Sequence, residues 1–221
     1  MVDFRIDDAI AHIDMDDGKA NAFSFAAIAS IVEGIETAEK KEAGAIVLSG
    51  RDGIFSGGFD LNVMRGGDMN EVNRLLSEGA GMLLRILRSP LPVVAACSGH
   101  AIAMGLFTLL SCDMRIGANG DFKIVANETA IGMPLPVFGV ELPRARIDRR
   151  AFHDAIVYSR VFSPGEAVDV GILNRSADAG ALAGAVGEAA AQLAELPRGS
   201  FAANKALSNA PIIDAIAAVY S

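Results

Sequence analysis

The stretch from Pro92 to Leu142 limits the fold more than any other part of this chain. It begins with a short apolar run, Val93 to Ala96, bounded by Pro92 and Gly99, which is how a buried strand reads. A glycine-containing turn, Gly99 to Gly105, then feeds a second apolar run, Leu106 to Leu110, of helical character. N–H groups at such a helix start lack intrahelical acceptors and lie at the positive end of the dipole, so this turn is a candidate site for holding negative charge. Farther on, Glu128 stands as a lone carboxylate among Val125, Ala126, Ala130, Ile131 and Met133. Desolvation disfavours its charged form and moves its pKa towards neutrality, which suits a general base.

The rest of the chain supplies comparable units. Phe4 to Met15 reads as a strand pair with a turn at Asp7-Asp8, and Asp16 to Lys19 as a further turn. Asn21 or Ser24 can cap a helix over 25–41, whose Ile28, Ile31, Val32 and Ile35 form one stripe and which closes on Lys40 and Lys41. Gly44 breaks it, and Ala45 to Leu48 is a short apolar strand, so the order strand, helix, strand predicts parallel pairing through a right-handed crossover. An amphipathic helix over 70–88 ends at Ser89-Pro90-Leu91-Pro92. Units starting at Ala45 and Val93 are thus spaced by roughly 45 residues, without enough identity to be a repeat. Beyond Pro143 the pattern predicts a helix over 147–160. Ser163-Pro164-Gly165-Glu166 predicts a capping box. Ala-rich residues 177–196 predict a helix with a solvated acidic face. An apolar helix over 201–220 is expected to dock on its own core or on a neighbouring subunit. The fold class is α/β, with a core over residues 1–175 and a C-terminal helical region over 176–221.

At 221 residues the chain is long enough for one domain with a large core. It is 52% hydrophobic, yet no apolar run approaches the ~18 residues that span a bilayer. The first residues carry acids where a secretory signal would carry a basic and then an apolar region, so a cytoplasmic location is expected. Cys97 and Cys112 both lie in apolar runs and are expected as buried free thiols. The formal charge of −8 argues against nucleic-acid binding. Three dispersed histidines and two cysteines lack metal-ligand spacing, and no Rossmann or P-loop fingerprint occurs.

Between Ser49 and Leu61 the glycines Gly50, Gly53, Gly57 and Gly58 interleave with Ile54, Phe55 and Phe59. Dense glycine of this kind marks unusual dihedrals or close backbone approach, directly after a buried strand, where α/β folds bind ligands. With IFSGGFDL (54–61), GHAIAMG (99–105), SCDMRI (111–116), NETAIGM (127–133) and FSPGEAVDVGILN (162–174) in this order and spacing, residues 3–175 resemble the crotonase superfamily, the enoyl-CoA hydratase/isomerase family.

The resemblance implies a spiral of strand-strand-helix turns with a short C-terminal helical region, assembly as a homotrimer or dimer of trimers, and a coenzyme A thioester as substrate. It implies no cofactor beyond the coenzyme A of the substrate; charge, run lengths and residue spacing lead to the expectation of no metal, nucleic acid or membrane. A thioester enolate would be held by the backbone N–H groups of Phe59 and Met104, where removal of one donor typically costs ~10² to 10³ in rate. Phe59 stands where a small residue is usual, so its ring is expected to narrow the acyl channel. Lys19, Ala20, Ser56, Gly57 and Gly58 occupy positions similar to coenzyme A contacts, and Asn62 replaces a basic residue often found there. Phe107 occupies the position of the first of the two carboxylates used by hydratases of the family, as an expected substrate contact, and Glu128 matches the second. One carboxylate suffices for the isomerase step, and Asn127-Glu128-Thr129 with Pro136-Val137-Phe138 is most similar to Δ3-Δ2-enoyl-CoA isomerases. The alternatives are a hydratase or other thioester lyase with a displaced second acid such as Glu141, and a catalytically silent acyl-CoA-binding subunit. Bland roles are expected for Asp60 (a turn), His12 (half-exposed on a strand), His153 (a helix surface), His100 (buried and hydrogen-bonded) and Asp113 (paired with a base elsewhere).

Overall fold

Apolar residues on both faces of short strands require a sheet covered on both sides, and the computed structural model, which describes residues 1–220, has that arrangement. The chain runs β1 (Val2–Asp7), β2 (Ile10–Met15), α1 (Phe25–Lys40), β3 (Ala45–Ser49), β4 (Gly53–Ser56), α2 (Leu61–Met64), α3 (Met69–Arg88), β5 (Val93–Cys97), β6 (Gly99–Ile102) and α4 (Met104–Ser111). It continues through β7 (Met114–Ala118), β8 (Ile124–Val125), α5 (Val137–Arg146), α6 (Phe152–Ile156), α7 (Pro164–Asp169), β9 (Arg175–Ala177), α8 (Leu182–Ala194) and α9 (Arg198–Tyr220). A large sheet has the order β1-β2-β3-β5-β7-β9, and a small one the order β4-β6-β8. Each turn of the spiral therefore gives one strand to each sheet: β3 and β4, β5 and β6, β7 and β8. Only the β1-β2 hairpin is antiparallel; the other named strand pairs are parallel.

Side-chain alternation along the large sheet divides the core. Ile46, Leu48, Val93, Ala95 and Cys97 face α1, α3 and α4, while Ala45, Val47, Val94, Ala96 and Ile116 face the apolar side of α8, Leu182, Val186, Ala189 and Ala190. The helix expected to be solvated is thus half so: Glu188 is exposed, and the opposite face closes the sheet. Helix α9 packs on α3 and α5, and its Ile212 and Ile216 enter the main core, so the apolar tail docks on its own chain. β9 lies across residue 175, where the core was expected to end, and pairs with β7.

Several local expectations hold. Ser24 caps α1, accepting the Ala27 N–H at 3.2 Å. Ser163 and Glu166 form the capping box with Pro164 in the first turn. Hydrogen bonds from Ser163 N–H and hydroxyl, joined by Arg160, pull the Glu166 pKa down to about 2. Three expectations are corrected. The hairpin turn falls on Asp8-Ala9, both at positive φ (44° and 64°), as a two-residue hairpin with the right-handed strand twist requires. The segment from Gly99, expected as a turn, first pairs as β6. The helix expected over 147–160 is only α6: Ile147 is extended, Asp148 accepts the Arg150 N–H at 2.8 Å in a local turn, and helix forms instead over Val137–Arg146, through Pro143.

Candidate active site

The small sheet brings together loops from three turns of the spiral. After β2 the chain wraps around the Asp17 carboxylate, which accepts the N–H groups of Lys19 (2.7 Å), Asn21 (2.9 Å) and Ala22 (3.1 Å). Burial alone would raise the pKa of Asp17, but these donors outweigh it and hold the group below its ordinary value. Asn21 takes φ +50°, and its amide donates to Met15 O at 2.8 Å. Its carbonyl accepts the Ser56 hydroxyl at 2.7 Å; that hydroxyl accepts the Gly58 N–H at 3.1 Å, and Gly57 N–H donates to Ala20 O at 2.7 Å.

A single parallel bridge then orients Phe59. Phe23 uses both of its backbone groups, donating to Gly58 O (2.8 Å) and accepting from Asp60 N–H (3.2 Å). In a parallel pair the residue opposite keeps its own groups on the far side. The Phe59 amide accordingly faces away from Phe23, with no backbone acceptor among the described residues. Next to it, Ala103 adopts φ +51° and ψ −118°, strained for a residue with a Cβ, while its N–H is held by Val125 O at 2.8 Å. Met104 follows as the first residue of α4, so its amide has no intrahelical acceptor. Two glycines allow the loops to close: a Cβ on Gly58 would lie 3.2 Å from Ala103 Cβ and 3.7 Å from Met104 N, and one on Gly105 would lie 2.6 Å from Ser56 O. The Phe59 ring does not stand free in the opening. Its Cζ would be 2.6 Å from a Cβ at Gly79, so the ring lies on α3 beside Met104.

Glu128 follows β8 and precedes a single 3₁₀ turn, Thr129–Ile131. Its backbone carbonyl accepts Ile131 N–H (3.1 Å) and Met133 N–H (2.9 Å), and the turn is tied to the α6 region through Thr129 Oγ1 to Ile156 O (3.3 Å) and Ala130 N–H to Ser159 Oγ (3.2 Å). The residue is 8% exposed, and its Oε2 is the one buried side-chain oxygen or nitrogen without a hydrogen-bond partner among the described residues. Burial pushes its pKa up to about 7.

The other candidates separate clearly. Phe107 is fully buried, its ring against Gly139 and edge-on to Phe138 at 5.7 Å, and Phe138 in turn meets Tyr220 of α9 at 5.7 Å. Glu141 pairs with Arg144 at 3.3 Å on α5. Asp60 caps α2, accepting Asn62 N–H at 2.9 Å. His100 is partly exposed rather than buried and accepts the Lys123 N–H at 2.8 Å. Asp113 pairs with Lys205 at 2.6 Å. Cys97 and Cys112 are free and buried, which raises both thiols to about 12.

A groove of about 740 Å³ runs along the stitched loops, lined in part by Lys19, Ala20, Gly57, Phe59, Leu61 and Asn62. Glu128, Met104 and Phe107 do not line it. Of the expected residues, Lys19, Ala20, Gly57 and Phe59 line the groove and Ser56, Gly58, Met104, Phe107 and Glu128 do not; the Phe59 ring and the end of the Met104 side chain both lie against Gly79. Sequence reasoning missed Asp17, whose Asp-Asp-Gly-Lys turn was a usable signal, and Ala103, for which none existed. Among the described residues no group of three metal-ligating side chains occurs, and no helix is long and apolar enough to cross a membrane.

Residues 5–220 match the family model for enoyl-CoA hydratase/isomerase. A human mitochondrial enoyl-CoA delta isomerase 1 is 32% identical over 158 residues, covering 70% of this chain and 52% of that protein. The chain spans about half the length of the first curated relatives it matches. Among solved structures, an enoyl-CoA hydratase/isomerase family protein from Pseudomonas syringae superposes with a TM-score of 0.96 at 34% identity, covering 99% of this chain and 94% of the other. An enoyl-CoA isomerase from Mycobacterium tuberculosis superposes with a TM-score of 0.94 at 36% identity, covering 98% and 94%.

Proposed function

The chain belongs to the enoyl-CoA hydratase/isomerase family, and from that premise we propose that it is a Δ3-Δ2-enoyl-CoA isomerase working with one carboxylate. The Glu128 carboxylate takes a proton from C2 of a 3-enoyl thioester, the electrons move onto the thioester oxygen, and the same group returns the proton at C4, leaving the double bond between C2 and C3. The amides of Phe59 and Met104 hold the enolate oxygen; donors placed in advance stabilise developing charge without reorganising. The groove at Lys19 and Ala20 receives the coenzyme A portion, and Phe107 walls the acyl side. No cofactor is consumed, because the proton that leaves is the proton that returns. The enzyme works as a homotrimer or a dimer of trimers.

The observation that carries this reading is the unpartnered, buried Oε2 of Glu128, together with a fully buried phenylalanine at position 107. A base needs a free lone pair and a pKa near the working pH, and adding water needs a second acid that Phe107 cannot be. Glu141 is engaged by Arg144, which disfavours a displaced-acid hydratase. The test compares isomerisation of a 3-enoyl-CoA with hydration of crotonyl-CoA, alongside acyl-CoA binding. Isomerisation that far exceeds hydration supports the proposal. Brisk hydration would favour the hydratase, and tight binding without turnover a silent acyl-CoA-binding subunit.

A further inference from the structure

A second concavity of about 520 Å³ lies where the first half of α9 passes the residues leading into β5 and β7. Arg115, Arg146 and Lys205 all line it, and Asp113 is the one acidic side chain that does so among the described residues. Three cations against one carboxylate is unexpected in a chain whose formal charge is −8. Two of them are deep: Arg115 is 6% exposed and Lys205 7%. Burial, then the neighbouring Arg146, lower the pKa of Arg115 to about 10, and burial lowers that of Arg146 as well. Buried charge of one sign is costly until something neutralises it.

The donors sort into fixed and available. Arg115 spends its guanidinium on Ile172 O (2.8 Å), Cys112 O (3.0 Å) and Gly171 O (3.4 Å), so it supplies a field rather than a contact. Arg146 uses Nε on Leu110 O (3.3 Å) and Nη2 on Asn209 Oδ1 (2.7 Å), which leaves Nη1. Lys205 uses two of its three protons, on Leu91 O (3.1 Å) and Asp113 Oδ2 (2.6 Å), and its ammonium also stands over the Phe201 ring at 5.8 Å. Asn174 accepts the Arg115 N–H through Oδ1 at 2.9 Å, which leaves its amide nitrogen, and Asn204 stands one helical turn from Ser200 and from Ser208 on the exposed rim of α9. Among the lining side chains three cations face one carboxylate, whose Oδ2 already accepts from Lys205 and from the Val93 N–H.

We propose that this cleft is a second ligand site, for a phosphate-type oxyanion, with Arg146 Nη1 and Lys205 as charged contacts and the Asn174 and Asn204 amides as neutral ones. It is independent of the proposed isomerase chemistry. The test titrates the intact protein with inorganic phosphate and, separately, with glycerol 3-phosphate at constant ionic strength, read by ³¹P NMR and calorimetry, with chloride as control. Saturable binding that chloride does not reproduce is expected, weakened about tenfold or more by Asn204→Asp and by Arg146→Gln and unchanged by Lys19→Gln in the other groove. Asn204 is exposed, so its variant is expected to fold with an unchanged circular dichroism spectrum. Tighter binding of the phosphomonoester assigns the site to a phosphorylated metabolite, and equal binding assigns it to free phosphate. Binding no stronger than that of chloride, binding that survives both cleft substitutions, or binding lost with Lys19→Gln overturns the proposal.

Discussion

Two carboxylates in this molecule are drawn out of water and treated in opposite ways. Asp113, with a side chain 16% exposed, is met by the Lys205 ammonium at 2.6 Å and by the Val93 N–H at 2.8 Å, joining α9 to the start of β5. Glu128, 8% exposed, has an oxygen with no partner among the described residues. A carboxylate given both a cation and a donor makes charge-assisted bonds that tie elements together and serves the fold. One that has no cation, a single weak donor in its own backbone N–H and one unpartnered oxygen has its pKa raised by burial to about 7, at a cost in stability. The difference sets the acid proposed for the chemistry apart from the one that serves the fold, which burial alone does not.

The comparison can be broken first at its chemical end. Glu128→Gln should lower isomerisation by ~10² to 10⁴, the usual contribution of general base catalysis, while the dissociation constant for acyl-CoA measured by calorimetry stays within a few-fold; retained turnover would remove Glu128 from the reaction. At the structural end, Lys205→Met should cost about 3–5 kcal/mol in denaturant unfolding, because the largely buried Asp113 charge loses its ammonium partner and keeps only the Val93 N–H as a direct contact. A change below 1 kcal/mol would show that the pair is not structural. A smaller effect of opposite sign sharpens the contrast. The folded-state pKa of Glu128, about 7, lies above its unfolded value, so wild-type stability falls as pH rises from about 4.5 to about 7 and stays reduced above it. Glu128→Gln should abolish that slope and unfold later at pH 8, by on the order of 1–3 kcal/mol. Finally, kcat/KM of the wild type should climb through an ionisation near pH 7 and then level, since the base acts as the carboxylate. A rate flat from pH 5 to 8 would assign the proton transfer to another group.

The large sheet was legible because its strands are continuous apolar runs, Ala45 to Leu48 and Val93 to Ala96, and because α1 and α3 carry clean stripes and end signals. Glu128 was legible for the same reason in reverse, as a charge among apolar neighbours. The small sheet was not. β4, β6 and β8 have four, four and two residues; Gly53 sits opposite Gly99, and the register shifts between Ile54 and Ser56, so neither alternation nor β-branched enrichment marks them. Nor could an alanine advertise the positive φ of Ala103, which tertiary bonds impose from Val125. The roles proposed for Phe59 and Met104 rest on backbone groups, which side-chain patterns do not encode, and came into view only through the family resemblance.

The parallel stacking of the small sheet has a consequence for how the molecule matures. Gly53 meets Gly99, and Ala101 meets Ile124, so partners arrive tens of residues apart, and the three loops that would meet a thioester have no local reason to find one another. Pairing across such separations is slow because chain entropy is spent before any contact repays it. Activity in a refolding experiment should therefore be among the last signals to return, behind helical circular dichroism, making turnover a gauge of whether the winding has finished.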